Sequence, residues 1–358
     1  MEKTVSEYEK KVLQVKTRGL NGCKMLSKYR DQIFGMAALG VIAVHGKTAA
    51  YNSPILRKLF EYGGAGVYLF ALLSGMGLYF SMTKEKIISG GFGGGGKTAG
   101  FYRRRFVRMI IPYGMIGGLW YGIKYLLIER DILGFIYELS TLSFWMEHKG
   151  AWYVAMLIPV YLLYPFYYHW LEKGSRGLKT VISCILTGIV MHLMLFMAPD
   201  VYAHLSAILA SLIWFMIGTY IGKPIREKRF HDSMFFVAML LIVLQKVVPV
   251  ISSWKLVELF TYGATSVVAA YLLIVAFELF TLERIQNVFG FLGKLSLELY
   301  LTNIFLLQAY EYFGIRDYLI EYYGFGFLSM TLPQITILML GILLSMGFRA
   351  LQKNMGSM

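Results

Sequence analysis

The feature that most constrains this chain is a succession of apolar runs, each long enough to cross a bilayer. A helix needs roughly 20 residues to cross a hydrocarbon core of ~30 Å at 1.5 Å per residue. The first run is the weakest, because its uninterrupted apolar part, Ile33 to Val44, has only 12 residues. The runs lie near residues 32–49, 65–82, 109–128, 151–170, 180–198, 205–222, 233–251, 262–280, 288–308 and 326–348.

The composition agrees with this pattern, since 57% of the residues are hydrophobic and only 16% are charged. Soluble domains of this length rarely have such a balance. We therefore predict an all-α integral membrane protein with about ten transmembrane helices. No polar linker divides the apolar part, so we expect one ten-span domain over residues 31–350, preceded by a basic segment, 1–30, and followed by a short tail, 351–358.

The basic segment 1–30 lacks the apolar core and the small-residue cleavage site of a secretory signal. We expect it to lie on the inner leaflet as an interfacial helix, with docking of a partner as the alternative. Cys23 and Cys184 lie far apart, so we expect neither a disulfide framework nor a metal site.

Lysine and arginine positions predict the orientation, because cytoplasmic loops accumulate them. The segments predicted to be cytoplasmic hold 25 of the 35 cations, the alternate loops hold seven and the spans hold three. Both termini are therefore expected in the cytoplasm. The net charge of +14 belongs to that face and to its anionic lipids, so nucleic-acid binding is not needed to explain it.

Polar side chains inside the spans are the first candidates for function, because each is costly at mid-bilayer unless it is paired or hydrated. His45 ends the first span at its outer end, and Arg30 begins it 15 residues earlier, ~22 Å away along a helix. His192 lies in the outer part of its span, and Lys124, Glu298 and Asn303 lie within the third and ninth spans. The alternative for a single intramembrane histidine is an interhelical hydrogen bond without further function.

The stretch FYRRRFVRMIIPY, residues 101–113, places several arginines just before the third span. Arg104 and Arg108, or Arg105 and Arg108, share one face of a helix. They either anchor the span at the inner membrane face or bind phosphate, which guanidinium groups contact bidentately.

The sequence GFGGGGKT, from Gly91 to Thr98, fits the P-loop pattern GxxxxGK[ST]. A P-loop needs a strand before it and a helix after it in a βαβ unit, and here it joins two predicted spans. We expect a flexible connector, with a loop that covers a nucleotide beside the arginines as the alternative.

Five segments, in order along the chain, carry a likeness to a known family. They are YRDQIFGMAALGVIAVH (Tyr29 to His45), GVYLFALLSGMGLYF (Gly66 to Phe80), the RxxR of Arg105 and Arg108, WYVAMLIPVYLLYPF (Trp152 to Phe166) and LGKLSLELYLTNIF (Leu292 to Phe305). In the order and spacing of these motifs the chain resembles the acyltransferase 3 family of integral-membrane O-acyltransferases, which modify bacterial surface glycans.

Three departures accompany the likeness. Phe34 occupies the position, eleven residues before the histidine, where the family often has arginine, and Arg30 is expected to substitute for it. The family's SVEEQFY reads AMLIPVY here, and Asn303 replaces the histidine of the ninth-span motif.

The resemblance implies an O-acetyltransferase in the cytoplasmic membrane, with acetyl-CoA or another short acyl-CoA as a cytoplasmic donor substrate and no permanently bound cofactor. The acceptor it implies is a hydroxyl of an extracytoplasmic glycan, with His45 as general base and Glu298 as the acid that orients or balances it; a structural helix-pairing role for Glu298 is the alternative. The donor-binding residues are then expected to be Arg30, Arg104, Arg105 and Arg108. The residues expected to line the acceptor site or its pathway are Ser74, Lys124, Trp152, Tyr153, His192, Ser296, Tyr300 and Asn303.

Two other classes of protein remain open from the sequence. A glycan or lipid-linked-sugar transporter also has many spans and buried polar residues, but we see no repeated halves with broken helices in matching positions. A scaffold or sensor is disfavoured by the RxxR motif and the histidine at opposite ends of one pathway. Three residues expected at the acceptor site also have structural alternatives. Lys124 is then a side chain that snorkels to the headgroups, and Trp152 and Tyr153 belong to the interfacial aromatic belt.

The predicted orientation places the loop from Gly91 to Gly96 in the cytoplasm. A single cysteine introduced there should not react with a membrane-impermeant thiol reagent on intact cells, and it should react once the cells are opened. Labelling of this cysteine on intact cells would reverse the orientation and move the donor site to the outer face.

Overall fold

All regular structure in the described part of the chain is helical. The structure, a computed structural model, describes residues 26–45, 54–88, 95–147, 150–227, 238–240, 242–243, 255–280, 282–323 and 327–356. A π-helical turn, Gly122–Ile128, extends α4. The helices are α1 (Arg30–His45), α2 (Pro54–Gly63), α3 (Gly66–Ile88), α4 (Gly95–Tyr121), α5 (Ile132–Leu139), α6 (Leu142–Glu147), α7 (Trp152–Glu172), α8 (Arg176–Met197), α9 (Pro199–Arg226), α10 (Lys255–Leu279), α11 (Glu283–Lys294), α12 (Ser296–Tyr312), α13 (Ile315–Tyr323) and α14 (Phe327–Gly356).

Several helices are long and apolar enough to cross a membrane, which confirms the predicted all-α membrane class. They coincide with the second, fourth, fifth, sixth and eighth predicted spans. A sixth crossing results if the bent pair of α11 and α12 forms one span. The number ten and the orientation of the termini stay predictions. The five helical stretches are Arg57–Lys84, Trp152–Glu172, Arg176–Met197, Pro199–Arg226 and Phe260–Leu279.

The other predicted spans differ from simple crossings. Helix α1 has only 16 residues, and the apolar part of α14 is the shorter stretch Ile335–Leu351. The third span is α4, whose first half carries the arginines and so leaves a short apolar part. The seventh span, 233–251, lies mostly outside the described residues, as do residues 1–25.

The glycine-rich connector also differs from the expectation. Gly95 to Thr98 of the P-loop-like sequence form the first residues of α4, while residues 91–94 lie outside the described part of the chain. The end of the basic segment packs on α10, because Lys28 Nζ and the Tyr29 hydroxyl both donate to the Glu278 carboxylate, at 2.7 and 2.8 Å.

The ninth span, predicted as one helix, is broken at Leu295, where α11 and α12 meet at a bend of 67°. The packing explains the bend. Helix α11 follows α1 so closely that a Cβ at Gly293 would overlap the Asp31 carbonyl, and one at Gly35 would overlap the carbonyl of Phe289. Helix α12 packs mainly against α4 and α14, and it also contacts α1.

Small residues also bring α3 and α9 into backbone contact, as is common where membrane helices associate. A Cβ at Gly75 would overlap the Phe215 carbonyl, and one at Gly218 would overlap the Leu72 carbonyl. Helix α3 is therefore largely enclosed by α1, α9 and α10. Helix α8 lies at the periphery, where its apolar side chains are mostly exposed and suit contact with lipid.

Candidate functional site

A cavity of about 640 Å³ lies between α1, α3, α4, α7, α11, α12 and α14. Its charged lining comprises five cationic and two acidic side chains, a net excess of three positive charges. Arg30 and Arg105 are partly buried and the other three cations are exposed, and such a concentration of positive charge favours an anionic ligand. The charged lining residues are Arg30, Arg105, Arg108, Lys294 and Arg349, with Asp31 and Glu298.

Two arginines converge on the backbone of α3 at Gly77. Arg105 Nη2 donates to the Gly77 carbonyl at 3.2 Å. Arg30 Nη2 lies 2.6 Å from the place that a Cβ on Gly77 would occupy, so a larger residue at position 77 would displace this guanidinium. The Nε atoms of Arg30 and Arg105 are buried and have no hydrogen-bond partner among the described residues. Both arginines therefore retain donors for a ligand.

Arg30 also lies over the ring of Phe34, with its Cζ 5.0 Å from the ring centroid. Both residues line the cavity. Position 34 lies one helical turn after Arg30. The guanidinium of Arg30 therefore lies at the same part of the cavity wall as the side chain of residue 34. That Arg30 substitutes for the arginine absent at Phe34 stays a prediction.

The cavity continues from these arginines along α3 toward the predicted outer side. The lining of α3 extends from Leu78 back to Val67, eleven residues or ~16 Å of helix. At this end the Ser74 and Tyr153 hydroxyls are 3.5 Å apart, and the Tyr153 backbone N–H donates to the Tyr300 hydroxyl at 3.3 Å. Ser74, Tyr153, Ser296 and Tyr300, all expected at the acceptor site or its pathway, thus line one cavity with Arg30, Arg105 and Arg108.

His45, at the end of α1, forms a hydrogen bond through Nδ1 with Oδ1 of Asn303 on α12. Because an amide oxygen only accepts, this pairing places the proton of neutral His45 on Nδ1 and makes Nε2 the basic nitrogen. Asn303 is fully buried, and its Nδ2 has no hydrogen-bond partner among the described residues. Asn303 lies three residues after Tyr300 on α12; Tyr300 lines the cavity, but neither Asn303 nor His45 is among the lining residues.

Glu298 is the acid that we expected beside His45, and the structure places it elsewhere. Its carboxylate lies 3.5 Å from Nε of Arg349, while Asn303 occupies the position next to His45. The reason is the helical rise of α12, since Glu298 is five residues, or ~7.5 Å, nearer to the predicted cytoplasmic end than Asn303.

Several other predicted site residues lie outside the cavity lining. Lys124 Nζ donates to the Tyr125 hydroxyl at 2.9 Å. That hydroxyl in turn donates to the buried Glu138 carboxylate at 3.1 Å. His192 lies on peripheral α8, with its ring 4.7 Å from that of Phe196. Arg104 is exposed on α4. Trp152 packs edge-on against Tyr153, with ring centroids 5.7 Å apart.

Sequence reasoning missed the roles of Arg349, Lys294, Tyr161 and Gly77 in this cavity. Arg349 was visible only as one more cytoplasmic cation. Tyr161 is the final residue of AMLIPVY, and its match to the last letter of SVEEQFY was the available signal. Gly77 gave no signal beyond its place in the second motif.

The fold and the cavity define an all-helical membrane protein with a cationic internal site. The family model described as "Acyltransferase domain", of the acyltransferase 3 family, matches residues 31–348, nearly the whole chain. The chain therefore belongs to this family of membrane acyltransferases. Arg30 and Arg349 each lie one residue beyond the matched range. No curated protein and no solved structure matches the chain.

Proposed function

We propose that this protein transfers an acetyl or other short acyl group from acyl-CoA, on the cytoplasmic side, to a hydroxyl of an extracytoplasmic cell-surface carbohydrate. The observation that carries the proposal is the single cavity that joins Arg30 and Arg105 to Tyr300, one turn from the Asn303–His45 pair. Membership of an acyltransferase family supports an enzyme over a transporter. A location in the cytoplasmic membrane, with anionic lipids against its basic face, belongs to the same proposal.

The charges and dimensions of the cavity fit the donor. Coenzyme A carries its phosphates at the nucleotide end, and the net positive lining suits them. The pantetheine arm is uncharged, and the walls beyond the arginines are formed by apolar side chains such as Phe70, Leu157 and Met109. The ~16 Å of α3 along the cavity allows this arm to carry the thioester from the arginines toward α12.

The His45–Asn303 pair supplies the acid–base chemistry of the proposed transfer. His45 Nε2 takes the proton of the acceptor hydroxyl as its oxygen bonds to the thioester carbonyl carbon. The carbon–sulfur bond then breaks, and the proton passes from His45 to the departing CoA sulfur, so that the histidine returns to its neutral form. Asn303 fixes the ring and its tautomer through the hydrogen bond between its Oδ1 and Nδ1 of His45.

Replacing Arg105 or Arg108 with alanine should weaken acetyl-CoA binding about 10- to 100-fold, because a charge-assisted phosphate contact contributes roughly 1.5–3 kcal/mol. Equilibrium binding to the purified protein measures this change. Arg103→Ala is the matched control, since Arg103 is exposed on the same helix and does not line the cavity. Unchanged affinity in folded Arg105→Ala and Arg108→Ala proteins would return both residues to membrane anchoring.

His45→Gln should lower acyl transfer by roughly 10² to 10⁴, because glutamine keeps a hydrogen bond but does not accept a proton near neutral pH. Donor binding should be retained, since Arg30 lies ~22 Å away along α1. Asn303→Ala should cause a smaller loss of about fivefold, the effect of one orienting hydrogen bond. Transfer of radiolabelled acetyl groups to surface carbohydrate in membranes measures both.

A His45→Gln protein that transfers acetyl groups at close to the parental rate would make His45 a packing residue. The base would then have to be another group. His192, on the lipid-facing helix α8, is far less suited to the role by its position than the sequence indicated.

A further inference from the structure

The ion pair between Glu298 and Arg349 stands in the wall of the donor cavity and is unexplained by the proposed chemistry. Both side chains line the cavity, Glu298 from the first turn of α12 and Arg349 from the last part of α14. The Glu298 side chain is only 8% exposed, whereas Arg349 is 42% exposed. Arg349 therefore stands at the open side of the cavity, and Glu298 lies behind it.

The geometry of this pair leaves Arg349 with capacity for a second anion. The closest contact joins Nε of Arg349 to Oε1 of Glu298 at 3.5 Å, which is long for a charge-assisted hydrogen bond. A guanidinium has five N–H donors, so the four on its Nη atoms lie outside this contact. A buried carboxylate is stabilised by a counter-ion, so Glu298 pairs with Arg349 when no other anion is bound there.

Arg349 is also separate from the other arginines of the cavity. Arg30 and Arg105 meet at Gly77 of α3, and Asp31 is the acidic side chain that acts on Arg30. Arg349 comes from α14 and pairs with Glu298 of α12. The cavity thus offers an inner cationic position at Gly77 and an outer one at Arg349, and the exposed Lys294 also lines it.

Coenzyme A likewise carries phosphate at two places along its length, which can match the inner and the outer cationic positions. Its pyrophosphate adjoins the pantetheine arm, and its 3′-phosphate lies on the ribose at the far end of the nucleotide. We propose that Arg349 exchanges Glu298 for the 3′-phosphate of the donor, so that Glu298 acts as a stand-in anion that the donor displaces. This inference rests on the proposed function, and it assigns to Arg349 the recognition of free acyl-CoA over donors that lack the 3′-phosphate.

Binding of CoA and of 3′-dephospho-CoA to the purified full-length protein tests this assignment. The parental protein should bind CoA more tightly than 3′-dephospho-CoA. Arg349→Ala should reduce the ratio of the two affinities about 10-fold, because it weakens CoA binding and leaves the affinity for 3′-dephospho-CoA unchanged. Arg349→Gln serves if the alanine variant does not fold. Arg226→Ala, an exposed arginine outside the cavity, is the matched control and should keep the full preference.

The Glu298→Gln substitution should change CoA affinity in the opposite direction to Arg349→Ala. Without the competing carboxylate, CoA should bind about two- to fivefold more tightly, the change expected for release of a half-exposed ion pair. A brace between α12 and α14 predicts instead that Glu298→Gln weakens CoA binding.

The outcomes separate this inference from the proposed function. Equal weakening of both ligands in Arg349→Ala, or weaker CoA binding in Glu298→Gln, overturns the exchange while leaving the acyl-CoA donor in place. A parental protein that binds neither ligand overturns the donor assignment and the exchange together.

Discussion

The close backbone contact between α1 and α11 is the constraint on which the rest of the site depends. Gly35 and Gly293 let the two helices approach until carbonyl groups fill the space that side chains would need. This contact sets the position of α1, which carries Arg30 at one end and His45 at the other. The chain then bends at Leu295, and α12 brings Asn303 to His45. Arg30 and the proposed base are therefore held by one short helix.

Hydropathy and charge predicted much of the fold, because burial in lipid imposes long apolar runs and an uneven distribution of cations. The same signals did not predict the bend at Leu295, since the run 288–308 has the length of a single span and the close backbone contact of α11 with α1 joins residues far apart in sequence. Nor could they pair His45 with Asn303, 258 residues away in sequence. Glu298 was the natural partner by charge, but the rise of α12 puts it beside Arg349.

Two departures from the family pattern meet at the same cavity. Phe34 stands where relatives often have arginine, and Leu157 stands where SVEEQFY has the first of its two glutamates. Both side chains line this cavity. Each departure puts an apolar side chain where the family pattern has a charged one. The middle of the cavity thereby becomes apolar, while Arg30, one turn from Phe34, keeps a guanidinium at the donor end.

The central claim is that this cavity and the His45–Asn303 pair serve acyl transfer to a carbohydrate outside the cell. Mass spectrometry of surface polysaccharides tests it most directly, in matched strains that lack the protein, carry it, or carry His45→Gln. The account predicts an ester-linked acyl group, removable by mild base, in the strain with the parental protein and its loss in the other two. The same ester content in all three strains would contradict the account.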